Sequence, residues 1–208
     1  GLGRTTDGIF DSIVSTPGMG ELIMRGRLCA YKVYTPPDRI DMTNVNRTAN
    51  GDWNQKKLAD ATDKPDITGD AVKHYKRLAN GKQGIVFAAS IAHSDHVAQQ
   101  FRDNGINAVA LSSKTKDTVR QAKIRDFRQG RIQLLVNYDL FGEGFDVPAV
   151  EVVIMLRKTE SYALFKQMFG RCLRVLFGKA FGILIDHVGN VANHCKDLMH
   201  VHDDPEWT

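Results

Sequence analysis

The sequence predicts an α/β domain built on a mostly parallel sheet, with helices covering both faces. Three observations carry that expectation. Several short segments are apolar throughout, as at Ile85, Val86 and Phe87, and strands buried on both faces read this way whereas one-sided strands alternate. Between them lie segments with helical apolar spacing, each about three turns long. From residue 84 onward the two kinds alternate, which is the order of parallel strands joined by crossover helices. Ligands of such sheets bind beyond the carboxyl ends of the strands.

Taken in order, the chain opens with the apolar residues Ile9, Phe10, Ile13 and Val14 and breaks at Pro17-Gly18. Residues 21–26 read as a short helix with a glycine stop. Tyr31-Lys32-Val33-Tyr34 alternates and is β-rich, so it reads as a strand that Pro36-Pro37 ends. Residues 38–51 are polar and read as a loop, and residues 53–61 as a short helix. Residues 68–79 form a better helix, with Val72, Tyr75, Leu78 and Ala79 on one stripe and Asn80-Gly81 closing it. Strands follow at 84–89, 108–111, 132–136, 150–156 and 182–185. Helices are expected at 94–103 (Val97, Ala98 and Phe101 inward), at 118–128 (Ala122, Ile124 and Phe127) and at 161–173.

Composition narrows the class. A chain of 208 residues allows one large domain, or a domain with an appendage. Its 42% hydrophobic and 25% charged content is that of an ordinary globular protein. A net charge of +4 permits contact with nucleic acid without establishing it. Cys29, Cys172 and Cys195 are odd in number and form no paired motif, which favours a reducing compartment. No apolar run has the length of a membrane span and no signal-peptide core is present, so a cytoplasmic location away from the membrane is expected. The start at Gly1-Leu2-Gly3-Arg4, without an initiator methionine, suggests a piece of a longer protein.

The segment with most chemistry in it is Gln167-Met168-Phe169-Gly170-Arg171-Cys172-Leu173-Arg174. On a helix Gln167, Gly170, Arg171 and Arg174 share one face, leaving Leu164, Phe165, Met168 and Cys172 to pack on a sheet. Arginine keeps its charge and offers a planar donor fork to phosphate oxygens, and Gly170 would let another surface come close. A solvated basic helix face is the plain alternative. After the third of these later strands, Gly142 and Gly144 flank Glu143, with Asp146 and Pro148 following. Those glycines could shape an anion-binding concavity, although a tight turn capped by Asp146 explains the pattern as well. Ser90 and Ser94 stand where a helix N-terminus could hold a phosphate, or where Ser94 simply caps the helix with Asp95 favouring the dipole. Ser112 and Lys114 lie in a loop equally suited to backbone phosphates or to none. His187, His194, His200 and His202 with Cys195 match no compact ligand spacing, so no metal site is expected, and Asp186-His187 reads as an internal hydrogen-bonded pair. No G-x-x-x-x-G-K-[ST] occurs, nor an Asp-Glu pair after an apolar strand, so this chain alone cannot assemble a nucleotide-hydrolysing site.

Together these blocks resemble the C-terminal RecA-like domain of superfamily-two helicases, the group of DEAD- and DEAH-box proteins and restriction-enzyme translocases. Residues 84–90 resemble motif IV, residues 135–148 motif V, and residues 167–174 motif VI in the form QxxGRxxR. Order and separation also match over about residues 31–190, with the nearest likeness to bacterial and phage helicases of DEAD/DEAH-box or type III restriction-like kind. Motif VI has Gln167-Met168 where many relatives place an arginine, and motif V has Asn137-Tyr138-Asp139 where DEAD-box proteins usually begin with threonine. Those departures lean toward DNA, with RNA the alternative.

The resemblance implies a RecA-like three-layer α/β/α sandwich over residues 31–208, with residues 1–30 trailing an absent N-terminal RecA-like domain of the same polypeptide. That domain would bind ATP and Mg2+. Arg171 and Arg174 would reach the γ-phosphate as arginine fingers, Gln167 would sense the nucleotide, and Gly144 and Asp146 would couple it to the cleft. Ser90, Ser112 and Lys114 would hold the nucleic-acid backbone. The isolated piece would not hydrolyse ATP. A non-catalytic nucleic-acid-binding module on the same scaffold, or a different doubly wound nucleotide-binding protein, is the competing expectation.

Overall fold

A computed structural model describes residues 17–36, 43–49, 53–62, 65–138, 150–195 and 201. In chain order the elements are α1 (Met19–Met24), β1 (Ala30–Tyr34), α2 (Gln55–Thr62), α3 (Pro65–Ala79), β2 (Gly84–Phe87), α4 (Ile91–Asp103) and β3 (Ala108–Ser112). They continue with α5 (Asp117–Arg128), β4 (Leu134–Tyr138), β5 (Val152–Met155), α6 (Tyr162–Gly170), β6 (Phe181–Asp186) and α7 (Asn190–His194). Among the described residues the six strands form one sheet in the order β1-β6-β5-β2-β4-β3, and every pairing is parallel.

The sheet is apolar on both sides because its central strands are apolar at every position. Ile85 and Phe87 of β2, Val153 and Met155 of β5 and Leu184 of β6 face one layer, where Phe127 of α5 and Phe165, Met168 and Phe169 of α6 cover them. Val86, Val152, Ile154, Ile183 and Ile185 face the other, under Val72 and Tyr75 of α3 and Val97 and Phe101 of α4. This is the expected three-layer sandwich, with strand alternation assigning each residue its layer. A small separate cluster of Val45, Leu58 and Ala61 forms beside Trp53. No helix among the described residues is long and apolar enough to cross a membrane.

Several expected bounds shift, each for a local reason. Helix α3 opens at Pro65, three residues before the expected start, since proline suits the first helical position where its missing N–H costs nothing. Helix α4 opens at Ile91, not at 94. Ser90 is its N-cap, accepting from the His93 N–H at 3.0 Å, while Ser94 sits inside the helix and donates to the Ile91 carbonyl at 2.6 Å. Strand β4 runs two residues further than expected, because buried Asn137 continues the ladder between Phe87 and Leu111. Asp186 and His187 do not pair through their side chains as expected. Asp186, the last residue of β6, accepts from the Val188 and Val191 N–H groups at 3.2 and 2.7 Å, while the ring of His187, just past the strand, lies 5.1 Å from that of His74 on α3.

The largest difference is in α6. Expected through Leu173, it ends at Gly170. The next three amides reach back three residues instead of four, Arg171 to Met168 at 3.3 Å, Cys172 to Phe169 at 3.1 Å and Leu173 to Gly170 at 3.2 Å. Arg174 then makes an antiparallel bridge with Leu28, and Cys29 N–H donates to the Leu173 carbonyl at 2.8 Å. Arg174 is therefore not on the helix that carries Gln167. Part of the segment expected to be a tail, Met19 and Leu28, packs against the core.

Candidate functional site

The residues with chemistry in them collect at two opposite edges of the sheet. Ser161 starts α6 beyond the carboxyl end of β5, accepting from the Leu164 N–H at 3.2 Å. Its entry is fixed by buried Asn190, which accepts from the Thr159 N–H at 3.0 Å and donates to the Arg157 carbonyl at 2.8 Å. From there α6 runs back along the sheet, anchored by Phe165 and Phe169, whose rings stack at 6.2 Å, and by Tyr31 edge-on to Phe169 at 5.0 Å. It delivers Gly170 to Arg174 at the amino edge, beside the starts of β1, β5 and β6.

That delivery is tight. The Cys172 carbonyl sits against Gly182, where an added Cβ would lie 2.1 Å from the carbonyl oxygen. Lys179 Nζ donates to the carbonyls of Val150, Cys172 and Arg174 at 2.9, 2.6 and 2.9 Å. Burial pushes the Cys172 thiol up to about 12, against the opposing pull of Lys179, so it is a neutral core group and no nucleophile. In the last turn of α6 Gln167 is exposed and Gly170 half-buried; on the loop Arg171 is 8% exposed and Arg174 is exposed. The two guanidinium groups thus stand in different surroundings, and Arg174 is the one presented to solvent.

At the carboxyl edge stand Ser90, Ser112 and Lys114, as the strand ends predict. Ser90 is half-buried and engaged in its cap; Ser112 is 7% exposed, in a turn where its N–H donates to Thr115 Oγ1 at 3.0 Å; Lys114 is exposed. Sequence reasoning missed Tyr138 and Arg157 here. They follow the apolar parts of β4 and β5, and the Arg157 guanidinium carbon lies 5.7 Å from the centre of the Tyr138 ring. A cation over an aromatic ring, at the same end of the sheet as Lys114 and the start of α4, suits a sugar–phosphate chain with a base to stack. The signal was there in Arg157-Lys158 directly after an apolar run, but without the topology nothing tied it to Tyr138.

The strands have four to six residues and rise about 3.3 Å per residue. The arginine loop and the serine set therefore stand roughly 13–20 Å apart across the sheet, and no single small ligand touches both. Gly144 and Asp146 lie outside the described residues, as do His200 and His202. Among the described residues no three His, Cys, Asp or Glu side chains gather as metal ligands. Burial, reinforced by neighbouring His74 and opposed by Asp70, pulls His187 down to about 4, so its ring is neutral at neutral pH.

Residues 64–176, more than half of the chain, match the helicase conserved C-terminal domain. The 51.5 kDa protein of a Lactococcus phage (isolate 7-9) is 38% identical over 195 residues, 94% of this chain and 42% of that protein. The Saccharomyces cerevisiae protein IRC3, assigned as an ATP-dependent helicase, is 31% identical over 189 residues, 89% of this chain and 27% of that one. A fragment of an HsdR subunit of a type I restriction enzyme from Vibrio vulnificus superposes with a TM-score of 0.67 at 20% identity, over 92% of this chain and 38% of that chain, a likeness of fold. The chain spans less than half the length of these curated relatives.

Proposed function

Since the chain belongs to the helicase conserved C-terminal domain family of superfamily-two helicases, with their RecA-like fold, we propose that it is the second motor domain of an ATP-dependent DNA helicase or translocase. In this reading its arginine loop is one wall of a nucleotide pocket, and the other wall is an N-terminal RecA-like domain of the full-length protein. The observation that carries the reading is the loop itself. Arg174 is exposed on a loop that Gly182 and Lys179 hold at the amino edge, and Gln167 is exposed on the last turn of the helix that leads into it. A domain that only bound nucleic acid would have no use for an exposed arginine on a braced loop at the edge opposite its basic, aromatic surface.

ATP fits the residues present on one side only. Arg174 offers a charged fork to the terminal phosphate, and Gln167 offers an amide to the nucleotide. Arg171, mostly buried on the same loop as Arg174, is assigned to the same phosphate. No acidic cluster stands at the loop among the described residues, so Mg2+ would be held by the other domain. When bound, ATP supplies the phosphoryl-transfer energy, and this chain neutralises charge developing on the transferred group. Gly144 and Asp146 are assigned to link that event to the cleft. Ser90, Ser112 and Lys114, joined by Arg157 and Tyr138, are assigned to a nucleic-acid backbone. Closure on ATP and opening after hydrolysis would then move the carboxyl edge along a strand.

The test is ATP hydrolysis by the full-length protein with and without single-stranded DNA. A DNA-dependent rise in kcat of tenfold or more is expected. Stimulation by RNA alone would replace DNA with RNA in this reading, and no stimulation by either would leave the fold as a scaffold without a motor.

A further inference from the structure

We infer that Lys179 is a positioning residue that holds the arginine loop in the shape through which Arg174 acts, an inference that rests on the nucleotide-pocket reading above. An ammonium group has three protons and no preferred plane. Here three backbone carbonyls converge on it within 2.9 Å, from Val150, Cys172 and Arg174. Each belongs to a different part of the problem. Val150 lies just before β5, Cys172 is the residue after Arg171, and Arg174 is the guanidinium carrier itself.

The chain goes to some length to bring Lys179 there. Past Arg174 it turns through exposed Val175, Leu176 and Phe177, and Gly178 takes φ +77°, a conformation L side chains rarely adopt. The Lys179 N–H closes this turn on the Leu176 carbonyl at 3.1 Å. The ammonium then returns beneath the loop it has just left. Helix α6 has already ended, so the carbonyls of Cys172 and Arg174 have no helical N–H to accept from. The Leu28–Arg174 bridge holds the outer side of the loop, and Lys179 holds the inner side. Without the ammonium the loop keeps its ends but loses its internal brace, and a fork misplaced by about 1 Å can forfeit on the order of a hundredfold in rate.

The experiment is steady-state ATP hydrolysis by the full-length protein as wild type, Lys179→Met, Arg174→Ala and the double variant, with thermal melting of each. Lys179→Met keeps the aliphatic stem and removes the three donors. Its kcat is expected to fall at least tenfold while the KM for ATP stays within twofold. In the Arg174→Ala background the same change is expected to cost less than a further twofold, because a brace for Arg174 has nothing left to position. A kcat for Lys179→Met within twofold of wild type, with Arg174→Ala disabled, overturns the inference and leaves the pocket reading standing. Equal losses in both backgrounds mark a general loss of structure and also overturn it. Full activity of Arg174→Ala overturns the pocket reading, and the inference with it. Should Lys179→Met not fold, Lys179→Arg decides: its planar fork cannot meet three convergent carbonyls, so kcat should drop at least threefold at an unchanged melting point, and wild-type kcat refutes the brace.

Discussion

Arg171 and Arg174 are three residues apart yet answer to different forces. Arg171 is 8% exposed, so its loss removes a packed side chain from the sheet end, which costs about 1–3 kcal/mol of stability. Arg174 faces solvent, and exposed surface substitutions usually stay within about 0.5 kcal/mol. Urea unfolding of Arg171→Ala and Arg174→Ala should separate the two by that margin. Equal stabilities would mean that the burial of Arg171 holds no energy. His187 gives a second test. Its folded value of about 4 lies below the unfolded 6.5, so the unfolded chain binds the extra proton between those values. Its contribution is complete above pH 6.5 and is lost as pH falls toward 4. Between pH 7.5 and 5.5 this group should take away about 1 kcal/mol, read by urea midpoints, and His187→Gln should flatten that part of the profile. An unchanged slope in the variant would assign the acid sensitivity elsewhere. Neither contrast was legible beforehand, because both arginines fit a helical repeat and the partner of His187 lies on a distant helix.

Helix α6 shows where a periodic pattern stops predicting structure. Spacing at i, i+3, i+4 and i+7 continues through Arg174, and the helix does not. What ends it is the pairing of Arg174 with Leu28, far upstream, and the approach of the Cys172 carbonyl to Gly182 on the strand that follows. Propensity yields to tertiary pairing here. The two glycines of this region then make opposite predictions. Gly182→Ala places a Cβ against backbone, so the melting point should fall by several degrees and the arginine loop should shift. Gly170 has nothing within 4 Å of a built Cβ and no positive φ, so Gly170→Ala should stabilise the chain by about 0.5–1 kcal/mol. If another domain closes on that face, Gly170→Ala should still slow ATP hydrolysis in the full-length protein. A variant both more stable and fully active would show that no surface comes near Gly170. The ends of α4 and β4 were misread for a related reason: Ser90 and Ser94 are equally good caps on paper, and a buried Asn137 looks like the first residue of a loop.

As a whole the molecule is a parallel sheet whose candidate residues stand at its two opposite edges. Its class, layers and parallel strands were readable because the central strands are apolar at every position and the helices between them are amphipathic. The carboxyl-edge candidates Ser90, Ser112 and Lys114 were also readable, since chain order alone puts them after strands. Which edge receives the arginine loop was not, because that depends on α6 running the depth of the sheet before it ends. The two-edge arrangement predicts that charge removal at the carboxyl edge and at the loop separates cleanly. Lys114→Ala with Arg157→Ala should weaken single-stranded DNA binding and lower the slope of log affinity against log salt by about 1–2, measured by fluorescence anisotropy, with KM for ATP unchanged. An unaltered slope would remove those two residues from the DNA surface. The account turns most directly on Arg174, and the measurement is kcat for DNA-stimulated ATP hydrolysis by the full-length protein carrying Arg174→Ala. A loss of about a thousandfold with the fold intact is the predicted result, in the range an arginine finger supplies. Hydrolysis at the wild-type rate would contradict it.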